Sequence, residues 1–475
     1  MISVEGNNIY FYILTHPHML TSYLPLLEKS ITFKSISTDP DYKESCNACA
    51  DRYIQLFQNH GFKTEKITWY GNPLVFAHYE VDPSAKTYLV YGHYDVQPAD
   101  IHDGRTNDPF TLTATPSPSE HSEAEWTVGR GSGWGELYAR WAVDNKGQHM
   151  IHIATILDLI KEGKLVYNIK FLLEGDEETG SPDIPAAISD YSLLLKADTA
   201  IISDGEMIGN HTPTMTASFR GGANMTITLK TATTDLHSGI YGNIAPSASH
   251  EAASLIGKLY NIDNTIAVPG RYEDLNPISE EIKANNEKVP FDADDVWKIT
   301  WIKHIVTPHG YDPVTANGLL PTIQVSGVSS GYTGNGYKNI IPWAATIKIN
   351  FRFGPWQNAH NEIEKFKKRV NNTLPDYIEY SIDTSDPYHA ISINIDNEDT
   401  HRSTALLSEV FNKPCIMRYC GAAVPISWLF QDILNCTVII ADLGNEDCNM
   451  HGVDENIDIA CIEKGLQFSR RFFTS

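Results

Sequence analysis

Histidines and carboxylates recur in this chain directly after short apolar runs, and together they have the donor chemistry of a hydrolytic site built on two divalent metal ions. Tyr88-Leu89-Val90-Tyr91 leads into Gly92-His93-Tyr94-Asp95, and Ile169 to Leu173 leads into Glu174-Gly175-Asp176-Glu177-Glu178. Ala200-Ile201-Ile202 leads into Ser203-Asp204, and Val438-Ile439-Ile440 leads through Gly444 to His451. Such a site needs imidazole and carboxylate ligands, plus one carboxylate left free to take a proton from water. His93, Asp144 (in VDNKG), Glu178, Asp204 and His451 supply the ligands, and Glu177 supplies the free base. Two divalent cations outweigh the carboxylates of Asp144, Glu178 and Asp204 by one positive charge. One hydroxide balances that excess, so water there should lose its proton readily. No cysteine falls in the set, unlike most structural zinc sites. Each residue alone has an ordinary reading: a loop histidine, a helix cap at Asp144, a solvated pair of glutamates. The chemistry requires that they share one edge.

The flanking elements supply that edge. Apolar runs alternating with helical stretches such as Met150 to Ile160 predict a largely parallel sheet. In open sheets of this kind ligands bind beyond the carboxyl ends of the strands, where these polar residues fall. Residues 40 to 60 read as a helix with Cys46, Cys49, Ala50, Tyr53, Ile54 and Phe57 on one stripe and Gly61 at its end. Cys46 and Cys49 are then core rather than ligands. Residues from about 213 to 385 change character. Met225 to Leu229, Thr322 to Val328 and Ala345 to Phe353 read as strands, and 247–260 and 358–372 as helices. This predicts an inserted α+β domain. Thr115 to Glu125 reads as an exposed polar loop.

The bulk composition narrows the partners. The 475 residues exceed one ordinary core, so two domains are expected. A formal charge of -23 repels phosphate backbones and anionic lipids, which argues against nucleic-acid and membrane partners. The N-terminal stretch lacks a basic region before a short apolar run, so it does not read as a secretory signal. No segment is apolar enough for a membrane helix. The 7 scattered cysteines suggest no disulfide framework, and the expected compartment is the cytoplasm.

At these residues the sequence resembles the co-catalytic metallopeptidase family of carnosine dipeptidases, glutamate carboxypeptidases, aminoacylases and succinyl-diaminopimelate desuccinylases. The landmarks are YGHYDVQP (91–98), GELYARWAVDNKGQ (135–148), LLEGDEETGS (172–181), ISDGE (202–206), DLHSGIYGN (235–243), NIIP (339–342) and NMHG (449–452). DLHSGIYGN is most similar to the carnosinase-like branch. The resemblance implies an α/β catalytic domain (1–212 and 386–475) with a mostly parallel sheet, interrupted by a lid domain (213–385) that also forms a homodimer. It implies two zinc (or manganese) ions, with Asp144 bridging, His93 and Asp204 on one ion, and Glu178 and His451 on the other. Glu177 would be the general base, and Asp95 would orient His93. His237 would reach the partner subunit's site and stabilise an oxyanion, while Asn339, Arg352 and the Gly421 backbone would contact substrate. Sedimentation should therefore find a dimer, and His237→Ala should lose activity. A monomer with a fully active variant would remove both roles.

The implied activity is hydrolysis of an amide bond in a dipeptide or short peptide. Deacylation of N-acyl amino acids would use the same site, and a catalytically silent binding protein on this fold is a third reading. The sequence also departs from the family pattern. Trp141 stands where glycine is usual, which predicts a reshaped loop. Asn145 replaces an aspartate at a peptide that is commonly cis in the family, and Gly421-Ala422-Ala423-Val424-Pro425 lacks a serine hydroxyl used in recognition.

Overall fold

The computed structural model describes residues 20–475 apart from 101, 103–107, 115–134, 210, 274, 276–277 and 423. The loop read at Thr115 to Glu125, and Ala423, lie outside the described residues. Two compact units make up the chain. One contains the described residues up to Thr216 with Ile393–Met417 and Pro425–Ser475; the other contains Ala217–Ser392 and Arg418–Val424.

In the first unit the apolar runs become strands, because β-branched and aromatic side chains covered on both faces suit a pleated sheet. The strands are β1 (Lys63–Ile67), β2 (Leu74–Tyr79), β3 (Thr87–His93), β4 (Asn168–Glu174), β5 (Thr199–Ile202), β6 (Thr214–Phe219, of which Thr214–Thr216 belong to this unit) and β7 (Thr437–Asp442). Their order is β1-β2-β4-β3-β5-β7-β6. The central strands β4, β3, β5 and β7 are parallel. Within this sheet the described antiparallel pairs involve β1, β2 and β6. The carboxyl ends of the four parallel strands therefore open on one edge, with His93 in register with Glu174 and Tyr91 in register with Ile202.

Helices cover this sheet: α1 (Leu20–Ile31), α2 (Lys43–Gln58), α3 (Lys146–Glu162) and α4 (Ile459–Phe472). α3 is buried almost all round, His149 and His152 included, which marks a core helix. Gly163, at φ 64, closes it in the left-handed conformation that glycine adopts without strain. Its first residue, Lys146, is fully buried and donates to Ser30 O (3.2 Å), Phe33 O (3.1 Å) and Ser35 Oγ (2.9 Å). α2 is preceded by a 3-10 turn, Pro40–Tyr42, and its buried face includes Leu56, whereas Ile54 is only half-buried. Cys46 and Cys49 lie on that face, and burial pushes the Cys46 thiol up to about 12. Neither belongs to a candidate metal group among the described residues.

The second unit is built on a four-stranded antiparallel sheet in the order Thr322–Ser330, Ala344–Phe353, Gly221–Lys230, Glu379–Thr384. Period-two alternation buries Ala345, Ile347, Ile349, Phe351 and Phe353. The helices Ala248–Gly257 and Ala359–Thr373 pack Ala252, Leu255, Ile363 and Phe366 into the same core. Among the described residues no helix is long and apolar enough to cross a membrane.

Candidate metal and catalytic site

His93 ends β3, the Glu177–Thr179 turn follows β4, Asp204 follows β5, and His451 lies in the loop after β7. Asp144 directly precedes Asn145, the N-cap of α3. These side chains meet. Asp144 turns one oxygen to each of two imidazoles: Oδ1 is 3.0 Å from His93 Nε2, and Oδ2 is 2.6 Å from His451 Nε2. Asp204 Oδ2 stands 3.6 Å from His93 Nε2, and Glu178 Oε2 stands 3.3 Å from His451 Nε2. Two donor groups result, His93/Asp144/Asp204 and Asp144/Glu178/His451, and within each the donor atoms lie within 4.8 Å of one another. Asp144 is common to both, the placement of a bridging carboxylate. Glu177 belongs to neither group.

The electrostatics favour cations here. Burial pushes the Glu177 carboxyl well above the usual range; Asp204, Asp144 and Asp95 add to the rise, while His93 opposes it. Glu178 is pushed up to about 7 by burial and then by Asp144. Burial alone would lower His93, but Asp204, Asp144 and Asp95 outweigh it and hold the imidazole well above its usual value. His451 is held up at about 9, first by its hydrogen bond to Asp144. Asp144 moves the other way, because the two imidazoles overcome the effect of its burial. Carboxylates gathered out of water need compensating positive charge. Divalent cations bound by imidazole and carboxylate would supply it.

Several further residues hold this arrangement: Asp95, expected from the sequence to orient His93, and Asn145, Gln97 and Glu455, whose roles sequence reasoning missed. Asp95 is fully buried. Its Oδ1 is 3.4 Å from His93 Nδ1, it accepts the Glu177 and Glu178 N–H groups (3.2 and 3.0 Å), and Ser37 donates to it (2.7 Å). His93 Nδ1 is also 3.1 Å from the Asp95 carbonyl oxygen, so one residue positions both His93 and the paired glutamates. Asn145 Nδ2 donates to Asp204 Oδ1 (2.7 Å) and to Ser203 O (2.5 Å). Gln97 donates to Glu178 Oε2 (2.7 Å). Glu455 Oε1 accepts the Val143 and Asp144 N–H groups (3.1 Å each), and its Oε2 accepts from Arg140 Nη1 (3.0 Å). Gly92 is required because a Cβ there would lie 2.7 Å from His149 Cβ and 2.8 Å from Asn145 Oδ1.

The remaining candidates lie in the second unit. His237 and Asn339 are exposed neighbours. His237 pairs with Ile340, Ser238 N donates to Asn339 O (3.0 Å), and His237 Nδ1 accepts Gly239 N–H (3.0 Å). Arg352 lines a cavity of about 920 Å³ together with Arg220. Arg220 is buried and donates to Gly421 O (3.0 Å) and Leu320 O (3.1 Å). Arg352 donates to Asn350 Oδ1 (3.3 Å) and lies over the Tyr388 ring; among the described residues no carboxylate is paired with it. Arg220 was absent from the sequence reading, since a lone arginine after a strand carries no signal.

Comparison with known proteins accords with this geometry. The profile of Peptidase family M20/M25/M40 matches residues 89–475. The chain belongs to this family. As a member of family M20 it is a metallopeptidase with a mixed α/β fold. It is 26% identical over 407 residues to the Beta-Ala-His dipeptidase of Rattus norvegicus, covering 84% of this chain and 79% of that one. It is 24% identical over 474 residues to the Cys-Gly metallodipeptidase of Schizosaccharomyces pombe, covering 94% and 93%. Among solved structures, the M20 metallo-carboxypeptidase Sso-CP2 of Sulfolobus solfataricus superposes with a TM-score of 0.79 at 25% identity, covering 95% and 98%.

The departures from the M20 pattern now have structural counterparts. Trp141 has φ 66, a left-handed conformation that suits glycine and costs a bulky residue about 1–3 kcal/mol. The ring is fully buried, edge-on to Phe110 at 5.5 Å, with Arg140 and Lys146 near its faces. Packing thus holds tryptophan where glycine is usual. The Asp144–Asn145 peptide, which the sequence left open, is cis.

Proposed function

We propose that the protein is a two-metal dipeptidase that hydrolyses the amide bond of a dipeptide or short peptide. The observation carrying this reading is the shared Asp144, whose two oxygens face His93 and His451 while Glu177 stands beside the ligand Glu178. The dipeptidase names of the rat and fission-yeast relatives support the substrate class. Two divalent ions, zinc or manganese, would be held by His93, Asp144 and Asp204 and by Asp144, Glu178 and His451. When bound they would acidify water and polarise the scissile carbonyl.

The protein's own part is proton traffic and positioning. Glu177 accepts the proton of the attacking water and later delivers it to the leaving amine. Burial and the neighbouring carboxylates raise its pKa above the ordinary carboxyl range, the direction that makes it a better proton acceptor. Asp95 fixes the Glu177 backbone and His93 together, so the base and one ligand keep a common reference. Arg352, which has no carboxylate partner among the described residues, presents its guanidinium to the substrate carboxylate.

The test strips the protein with chelator and restores zinc or manganese separately. Free amine release is then followed from dipeptides, dipeptide amides and N-acyl amino acids. Activity should vanish on stripping and return on dipeptides with one of the metals. Turnover of acyl amino acids alone would move the function to deacylation, and absence of bound metal would overturn the site. Equal turnover of dipeptides and their amides would remove Arg352 from the reading.

A further inference from the structure

A second kind of donor cluster lies in the first unit, apart from the co-catalytic groups. His211, Asp458 and Cys461 bring an imidazole nitrogen, a carboxylate oxygen and a thiol sulfur within 4.8 Å of one another. His211 Nε2 is 2.8 Å from Asp458 Oδ2, a contact of the same kind as those between His93 or His451 and Asp144. Asp458 is the N-cap residue of α4 and Cys461 lies in its first turn, so helix geometry places both at one point. Asp458 is fixed from behind, its N–H donating to Asn445 Oδ1 (2.9 Å). His211 sits in a turn at φ 50, with its N–H directed at the Glu446 carboxylate (3.2 and 3.3 Å).

A histidine–aspartate ion pair beside a core cysteine is the ordinary account, and the surroundings do not suit it. The Cys461 thiol is fully buried, forms no disulfide and makes no hydrogen bond among the described residues. Instead of apolar neighbours alone, it faces Asp458, with Glu446 and Asp447 close enough to act on it. A buried core thiol gains nothing from a carboxylate and an imidazole at its sulfur. A cation would engage all three donors at once, and the positive end of the helix dipole at its first turn favours a thiolate.

We propose that His211, Asp458 and Cys461 bind a third divalent ion of the zinc type, for which mixed nitrogen, oxygen and sulfur donors are suited. Binding releases to solvent the thiol proton and the proton that His211 shares with Asp458, and leaves a fourth position for water or for Glu446. The ion would clip the turn carrying His211 to the start of α4. Those segments continue from the ones bearing Asp204 and His451, so the clip would brace the co-catalytic loops without touching substrate.

Cobalt tests this directly in the full-length protein. The co-catalytic donors include no sulfur, so a sulfur-to-cobalt charge-transfer band reports the new site alone. Chelator-stripped protein titrated with cobalt should show that band together with one metal equivalent more than the co-catalytic pair needs. Cys461→Ser should lose the band and that equivalent. His211→Gln, a change at a partly accessible ring, should weaken the band's apparent affinity at least about tenfold, in line with loss of a metal ligand contact. A wild-type protein with no thiolate band, or a band that persists in Cys461→Ser, would overturn the proposal.

Discussion

Glu177→Gln will bind as much metal as the parent protein and lose turnover by about 10²–10⁴-fold or more, the range expected when a general acid–base is removed. The reason lies in the different placement of two adjacent glutamates. The Glu178 carboxylate is 3.3 Å from His451 and belongs to a donor group, whereas Glu177 belongs to none. Both are set by the same short turn, whose N–H groups are held by Asp95, so a neutral isostere at 177 need not disturb 178. The burial that raises the Glu177 pKa also removes competing bulk water from the proton it handles. Metal content by elemental analysis and kcat at saturating dipeptide are read on the same sample. Loss of metal along with activity would make Glu177 a ligand or a structural residue. Retention of more than a few per cent of kcat with full metal would remove it from proton transfer.

The strand ends were legible because strands buried on both faces are written as short apolar runs that stop abruptly where the chain turns polar. The runs at 88–91, 169–173, 200–202 and 438–440 all lie inside observed strands. Alternation at 345–353 exposed the second sheet in the same way, since only one of its faces is covered. The supports were not legible. Glu455 acts on Val143 and Asp144 across more than three hundred residues, and a loop glutamate carries no periodicity to announce that. Asn145 read as a substituted acid, yet its amide fixes Asp204 and Ser203, a role visible only once the parallel strands stand side by side. Trp141 signalled a departure without its consequence, because φ 66 is a property of the backbone path. Arg418–Val424 joins the second unit although its flanking segments belong to the first. Nothing in a seven-residue stretch that begins inside the strand Ile416–Cys420 and ends at the helix Pro425–Asp432 encodes that return.

Glu455 is the position where support and stability can be separated by measurement. Its carboxylate ties the segment before α3 to Arg140, and Arg140 Nη2 in turn donates to His451 O (3.1 Å), so one buried pair spans the segments carrying Asp144 and His451. Glu455→Gln leaves the Arg140 guanidinium buried without its counter-charge, and the amide keeps only one accepting oxygen for donors that now use two. Removing one member of a buried pair costs about 3–5 kcal/mol, which a denaturant midpoint will register. The loosened Asp144 backbone should also weaken metal binding about 10–100-fold, as loss of outer supports does at metal sites. Competition against a chelator measures that separately. Adding Arg140→Met to Glu455→Gln removes the stranded charge, so stability should recover in part. Metal affinity should stay low, because a neutral amide oxygen holds the Val143 and Asp144 N–H groups more weakly than the carboxylate oxygen that now accepts both. If the single variant binds metal as tightly as the parent, Glu455 braces the fold alone. If the double variant restores affinity as well, the stranded arginine and not the lost anchor had displaced the ligands.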